Sequence, residues 1–275
     1  MRNFNVFGII PARYASTRFP GKPLALINGK PMVQWVYERV QSSEVKGLAV
    51  ATDDDRIAEC VRGFSGEVVM TSPNHASGTD RCGEAAQLMQ PADNDVVINI
   101  QGDEPLISPK EIHLLASAFE DPSVQIATLV NPFNDEKLLH DPNVVKVVKA
   151  KNGKVLYFSR LPIPYLRDGA TPPKNYYRHI GIYAYRYQVL KEIVQLPTSE
   201  LENSEKLEQL RWLENGYTIC ALECDYQGIG VDTPEDLEKL RIKNDELRMM
   251  NDEYMCLLPI ANSQQPTANS QPSKP

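Results

Sequence analysis

The sequence predicts an α/β protein with a mostly parallel central sheet flanked by helices. Three observations carry this. The apolar runs at 4–10, 48–52, 67–71 and 95–100 are each followed by a stretch with apolar residues at helical spacing. Strand–helix units in series imply parallel pairing through right-handed crossovers. The runs at 4–10 and 95–100 are almost wholly apolar, as expected of strands buried on both faces.

Taken in order, the strand at 4–10 opens into the loop around which the chain is organised. This loop places Arg13, Arg18 and Lys22 among Ser16, Thr17 and Gly21, with Pro11, Pro20 and Pro23 stiffening it. Open α/β sheets bind ligands at the carboxyl ends of their strands. Cations with free backbone N–H groups at such a place suit a polyanion, most simply a nucleotide triphosphate. The loop is not a Walker A motif, because Gly21-Lys22 and Gly29-Lys30 are each followed by proline. It also lacks the Gly-x-Gly-x-x-Gly of dinucleotide folds. After a turn at Asn28-Gly29, Pro31 suits the first turn of a helix whose core face is Met32, Val36 and Val40, with Trp35 beside it.

Asp53-Asp54-Asp55 ends the strand at 48–52 and reads as capping for a helix carrying Ile57, Val61 and Phe64, rather than as a metal site. The loop after the strand at 67–71 leads to a helix with Cys82, Ala85, Ala86 and Met89 inward. Ser77, Gly78 and Arg81 lie near its N-terminus. A base or sugar could be read there, and plain capping by Thr79 or Asp80 is equally compatible. The strand at 95–100 delivers Gln101-Gly102-Asp103-Glu104-Pro105 to the carboxyl end of the sheet. Ser108-Pro109-Lys110-Glu111 then forms a capping box. Asp103, held between a buried strand and a capped helix, is a good Mg²⁺ ligand, since that ion takes one or two carboxylates plus substrate phosphates. Glu104 points elsewhere.

Beyond a strand at 125–130 the pattern changes. The strands at 144–149 and 154–159 flank Asn152-Gly153, a strong hairpin signal. A Pro- and Gly-rich stretch follows, then an aromatic-rich strand at 176–185. Arg160, Arg178 and His179 form a second cationic cluster able to meet an acidic sugar, with a simply satisfied histidine the equal alternative for His179. Leu207, Leu210 and Leu213 give a helix its core face, leaving Glu208 and Gln209 toward solvent or a cleft, and Gly216 ends that helix. Thr233 caps a last helix with Pro234 at its first position, so Asp232 is free for a ligand. The residues 251–275 have almost no apolar content after Pro259 and read as a disordered C-terminal tail.

The bulk numbers fit this picture. A net charge of −7 over 275 residues argues against a nucleic-acid partner and makes the cationic loop a local feature. The 5 cysteines are odd in number and scattered, as reduced thiols in a cytoplasmic protein would be. No apolar signal region or bilayer-length run is present, so no membrane association is expected.

Together these residues resemble the CMP-Kdo synthetase family, the 3-deoxy-manno-octulosonate (Kdo) cytidylyltransferases of lipopolysaccharide biosynthesis. The resemblance runs over roughly 4–245. It is carried by Ile9-Ile-Pro-Ala-Arg13 through Arg18-Phe-Pro-Gly-Lys-Pro-Leu24, by His75-Ala-Ser-Gly-Thr-Asp-Arg81 and by Asn99-Ile-Gln-Gly-Asp-Glu-Pro105. Tyr157-Phe-Ser-Arg160, Arg178-His-Ile-Gly-Ile-Tyr183, Leu207-Glu-Gln-Leu-Arg211 and Gly230-Val-Asp-Thr-Pro-Glu-Asp236 add to it. It implies a nucleotide-diphospho-sugar transferase fold, Rossmann-like, in a single domain over 1–250. A smaller α+β subdomain, inserted at roughly 131–200, would form a homodimer.

The implied reaction is CTP + Kdo → CMP-Kdo + pyrophosphate. Arg13, Lys22, Asp103 and Asp232 would be catalytic, the two aspartates as Mg²⁺ ligands. Pro11, Ala12, Arg13, Arg18, Lys22, Ser77, Gly78, Arg81 and Gln101 would meet the nucleotide. Gln101, Arg160, His179, Tyr183, Glu208 and Gln209 would read Kdo, Arg160 on its carboxylate. The alternatives are activation of 8-amino-Kdo or of another acidic sugar such as sialic acid, a non-catalytic nucleotide-binding module, and a glycosyltransferase using Asp53-Asp54-Asp55. The module predicts a broken metal site, and the glycosyltransferase needs those acids where caps are expected.

Overall fold

A computed structural model of the chain describes residues 2–15, 19–168, 173, 175–226, 230–231, 233–238 and 240. In chain order the elements are β1 (Val6–Pro11), β2 (Leu26–Ile27), β3 (Lys30–Pro31), α1 (Met32–Gln41), β4 (Gly47–Thr52), α2 (Asp55–Gly63), β5 (Val68–Met70) and α3 (Gly78–Met89). There follow β6 (Val96–Asn99), α4 (Pro109–Ser117), β7 (Ile126–Phe133), α5 (Glu136–His140), β8 (Lys146–Lys149), β9 (Val155–Ser159) and β10 (Tyr176–Arg186). The last are α6 (Tyr187–Ile193), α7 (Glu200–Glu205), α8 (Gln209–Glu214) and β11 (Ile219–Glu223).

The main sheet runs β11-β7-β10-β6-β1-β4-β5, with β8 and β9 joined to it through β10. β1 pairs in parallel with β4 and β6, β4 with β5, and β7 with β11. Alternation along the strands sends side chains to two apolar layers. Val6, Ile10, Val50, Val96 and Ile98 meet α1, α2 and α4 on one face. Ile9, Ala51, Val97, Tyr183 and Tyr185 meet α3, α6 and α8 on the other, around Trp212. The expected mostly parallel α/β sandwich is therefore present.

β10 is the exception, antiparallel to both β6 and β7 at the centre of the sheet. It closes the segment 131–200, where a smaller inserted subdomain is expected. The strand that ends this segment lies in the main core, and only the β8–β9 hairpin and the chain around it leave the main strand path. The hairpin connects the end of β7 to the start of β10, so it lies at the carboxyl edge of the sheet, where ligands bind. A bulge between Ile180 and Tyr183 in β10 is filled by Thr128 of β7, whose hydroxyl donates to Ile182 O at 2.9 Å.

Local expectations fare unevenly. The Asn28-Gly29 turn closes a two-residue hairpin, both residues with positive φ (51° and 79°), and Pro31 lies on β3, just ahead of α1 rather than in its first turn. The hairpin over Asn152-Gly153 and the Ser108–Glu111 capping box form as read. α5, α6 and α7 were not anticipated. The tail 251–275 and the end of the domain at 241–250 lie outside the described residues.

Candidate active site

A cavity of about 250 Å³ opens at the carboxyl ends of β1 and β6. Pro11, Ala12, Arg13, Lys22, Pro23, His75, Ala76, Ser77, Gly78, Arg81, Gln101, Gly102 and Asp103 line it. The loop after β1 is held by Ala12 N donating to Ala51 O at 2.9 Å and by Gly21 N donating to Tyr14 O at 2.9 Å. Gly21 takes a φ of 70°, in the left-handed region that favours glycine. The Tyr14 ring stacks under the Arg56 guanidinium, 3.3 Å from its centroid. These contacts start Lys22 into a short 3-10 turn, Lys22–Leu24, from which its Nζ reaches Asp103 Oδ2 at 2.6 Å.

The opposite wall is the N-terminus of α3. Its cap is Ser77, not Thr79 or Asp80. Asp80 N donates to Ser77 Oγ at 3.1 Å, and Ser77 N donates to Asp80 Oδ2 at 3.1 Å. Asp80 at the third helical position completes a capping box, while Thr79 turns to Glu208, donating to its Oε2 at 2.6 Å. The start of a 12-residue helix facing a cavity that also holds Arg13 and Lys22 suits phosphate groups.

Arg81 lines the cavity but is nearly buried, at 4% exposure. It ion-pairs with Asp53 at 2.9 Å and donates to Thr71 Oγ1 at 2.6 Å. The three consecutive acids therefore divide their work. Asp53 holds Arg81, Asp54 caps α2 by accepting from Arg56 N, and Asp55 sits in the first turn. His75 pairs with Glu84 across the first turns of α3, and Glu84 also accepts from Ser72 N at 2.8 Å. These bonds hold the Glu84 carboxyl below the usual carboxylate range. His75, Ala76, Pro23 and Gly102 are wall residues beyond those assigned from sequence. His75 already stood in the motif that carries Ser77 and Arg81.

Beside this cavity lies the group expected to read a sugar. Tyr183 sits opposite Asn99, the last residue of β6, and Gln101 Nε2 donates to Asn99 Oδ1 at 3.3 Å. The His179 ring packs against Phe158 and Tyr183, with centroids 5.2 and 5.1 Å away, and its Nε2 meets Thr128 Oγ1 at 3.0 Å. Burial pushes its pKa down to about 3, so near neutral pH it carries no charge. Burial pushes the Glu208 carboxyl up, against hydrogen bonds from Thr79 and Ser77. Gln209 begins α8 and is buried. The Tyr183 hydroxyl is buried with no hydrogen-bond partner among the described residues.

The members of the expected cationic cluster, Arg160, Arg178 and His179, each have hydrogen-bond partners of their own. Arg160 donates to Glu205 O (2.7 Å), Pro142 O (2.9 Å) and Lys206 O (3.4 Å), at the corner leading into α8. Arg178 donates to Tyr226 O at 3.0 Å, and His179 is neutral.

Arg18 and Asp232 lie outside the described residues. Among the described residues no group of three or more His, Cys, Asp or Glu side chains could hold a metal ion. Asp103 nevertheless fits a magnesium ion. It supplies a hard carboxylate oxygen on the wall of a cavity that also has anion-binding groups, and Mg²⁺ keeps waters and shares substrate phosphates rather than needing an all-protein cage. Val231 N donates to Asp103 O at 3.0 Å, tying the chain at Val231 to the same loop.

Comparison with known proteins follows the same lines. Residues 7–219 match the profile of a family described as Cytidylyltransferase. The 3-deoxy-manno-octulosonate cytidylyltransferase of Parabacteroides distasonis is 56% identical over 240 residues, covering 84% of this chain and 95% of that one. The enzyme of the same name from Bacteroides thetaiotaomicron is 54% identical, covering 84% and 94%. A solved structure described as CMP:2-keto-3-deoxy-manno-octonic acid synthetase complexed with CTP superposes with a TM-score of 0.82 at 43% identity, over 90% of this chain and 99% of that one.

Proposed function

The chain belongs to the cytidylyltransferase family, and we propose that it transfers CMP from CTP to Kdo, releasing pyrophosphate. The observation that carries this is the cavity where Arg13, Lys22 and the α3 N-terminus face Asp103. It joins a triphosphate-binding wall to a metal-binding acid, in a chain more than half identical to an enzyme named for this reaction.

The anomeric 2-hydroxyl oxygen of Kdo bonds to the α-phosphorus of CTP as the bond to the pyrophosphate oxygen breaks in line, and the hydroxyl proton is given up to solvent. Little covalent chemistry falls to the protein, so positioning and charge supply the rate. Arg13 and Lys22 neutralise the triphosphate, with Lys22 easing departure of pyrophosphate. Ser77 and Gly78 offer the helix N-terminus, and Arg81, locked by Asp53 and Thr71, stiffens the wall. Pro11, Ala12 and Gln101 shape the floor, with Arg18 adding charge from the same loop. Asp103 and Asp232 would hold Mg²⁺, which when bound neutralises phosphate charge and lowers the pKa of the attacking hydroxyl.

Kdo is placed against Gln101, His179, Tyr183, Glu208 and Gln209. The Tyr183 hydroxyl there is buried with no hydrogen-bond partner among the described residues. Arg160 contributes through the α7–α8 corner that it pins, since Glu208 and Gln209 follow directly on that corner. A homodimer formed through the β8–β9 region is part of this reading, supported by exposed Leu156 (60%), Leu161 (70%) and Tyr165 (85%). A cytoplasmic location is supported by the free thiols of Cys60, Cys82, Cys220 and Cys224.

The test is pyrophosphate release from CTP and Mg²⁺ with Kdo, 8-amino-Kdo and sialic acid in parallel. Release with Kdo alone is expected. Release with the amino sugar alone keeps the chemistry and changes the substrate. CTP binding without release for any sugar overturns the enzymatic reading.

A further inference from the structure

The loop that carries Asp103 is tied to the chain beyond β11 by contacts the proposed reaction does not use. Tyr226 donates its hydroxyl to Glu104 Oε2 at 2.7 Å, over 122 residues of sequence. Gly230 lies so close to the same carboxylate that a Cβ there would stand 3.3 Å from Glu104 Oε1. Val231, fully buried, donates its N–H to Asp103 O at 3.0 Å. The Tyr226 end is itself anchored to the middle of the sheet. Cys224 N donates to Val130 O at 2.9 Å, Asn131 Nδ2 to Cys224 O at 2.8 Å, and Arg178 to Tyr226 O at 3.0 Å. Glu104 is therefore a strut. One carboxylate meets the chain at both Tyr226 and Gly230, and Asp103 is its neighbour.

We propose that Glu104 and Tyr226 are positioning residues of the metal site, fixing the loop that carries Asp103 against the chain at Tyr226 and Val231. This rests on the reading of Asp103 as a Mg²⁺ acid. The Glu104–Tyr226 bond adds a second tie beside the Val231–Asp103 backbone bond, so the loop is held at two points. A tyrosine hydroxyl on a carboxylate is a strong hydrogen bond, able to keep the Asp103 side chain in one place. Gly230 permits the approach, since a Cβ there would press on the Glu104 carboxylate.

The test uses the full chain with CTP and no sugar. Mn²⁺ is titrated and its binding read from water proton relaxation, with the thermal midpoint of each variant measured alongside. Tyr226→Phe is expected to weaken Mn²⁺ binding about tenfold, the low end for loss of a group that orients a ligand. The Mg²⁺ needed for half-maximal turnover should rise by the same factor, with the KM for Kdo unchanged. Glu104→Ala should behave alike, whereas Glu104→Gln, which keeps an acceptor for the tyrosine, should retain most of the affinity. A lowered thermal midpoint with wild-type Mn²⁺ affinity in Tyr226→Phe means packing only and overturns the proposal. If Tyr226→Phe does not fold, equal Mn²⁺ affinities in Glu104→Ala and Glu104→Gln overturn it. Asp103→Asn separates the two levels. Wild-type Mn²⁺ binding there removes the metal reading and this inference with it, while loss there beside retention in folded Tyr226→Phe removes the inference alone.

Discussion

Lys22 Nζ stands 2.6 Å from Asp103 Oδ2, joining the cationic loop after β1 to the acidic loop after β6. The two side chains are largely shielded, at 16% and 28% exposure. Under the proposed function the lysine would serve the triphosphate and the carboxylate the metal, and in the free protein the two neutralise each other. A metal–nucleotide complex would give each a new partner of the right sign.

Lys22→Met removes one half of that exchange. The kcat should fall at least about 100-fold, the usual scale for losing a group that stabilises developing charge, and the KM for CTP should rise. Steady-state kinetics in CTP decide it, and a kcat close to wild type would remove Lys22 from the chemistry.

Asp54→Ala tests whether the acidic triplet is structural. Asp54 caps α2 by accepting from Arg56 N at 3.0 Å, so its loss should cost about 1 kcal/mol of stability, the typical value of an N-cap. Turnover at temperatures where the variant is folded should stay at the wild-type level, in contrast to Asp103→Asn, which should fold and lose nearly all turnover. Urea unfolding and pyrophosphate release measure the two effects separately. A catalytic defect in Asp54→Ala would reopen the metal-binding alternative.

The parallel half of the sheet was legible because its strands are apolar on both faces and separated by capped helices, a pattern local to each unit. The antiparallel course of β10 was not, since strand direction depends on where the chain re-enters the sheet after the β8–β9 excursion. The same limit applies within the site. Lys22 and Asp103 were each identified, yet their pairing spans 81 residues and leaves no periodic trace. Ser77 was read as a ligand-binding residue and not as the cap, because Thr79 and Asp80 are also good caps and only the start of α3 separates them. Arg160, Arg178 and His179 looked like one cluster from their proximity to the hairpin, but backbone carbonyls and the Thr128 hydroxyl claim them individually.

His179 should leave a mark on acid stability. Its pKa is about 3 when folded, pushed down by burial from an ordinary 6.5, so between these values the unfolded chain binds a proton that the folded chain refuses. Stability therefore falls as pH drops from 6.5 toward 3, by up to about 1.4 kcal/mol per pH unit for one proton. Urea unfolding of His179→Gln across this range should give a shallower acid slope than wild type. An unchanged slope would mean that the imidazole protonates freely in the folded protein.

Glu208 carries the opposite sign. Burial raises its pKa above 4.5, with hydrogen bonds from Thr79 and Ser77 and the nearby Arg211 opposing the rise. In the window just above 4.5 the folded chain holds the proton more tightly than the unfolded one. The stability this gives is present at low pH and lost as pH rises through the folded value. Glu208→Gln keeps an acceptor for Thr79 while removing the desolvated charge. It should stabilise the protein by about 1 kcal/mol at pH 7.5, within the ordinary range for one side chain, and by less at pH 4. The same variant should raise the KM for Kdo more than the KM for CTP, since Glu208 faces the proposed sugar side. Stability and affinity moving in opposite directions is what a half-buried, desolvated carboxylate kept for binding requires. A variant that lost stability at neutral pH with both KM values unchanged would place Glu208 in the scaffold instead.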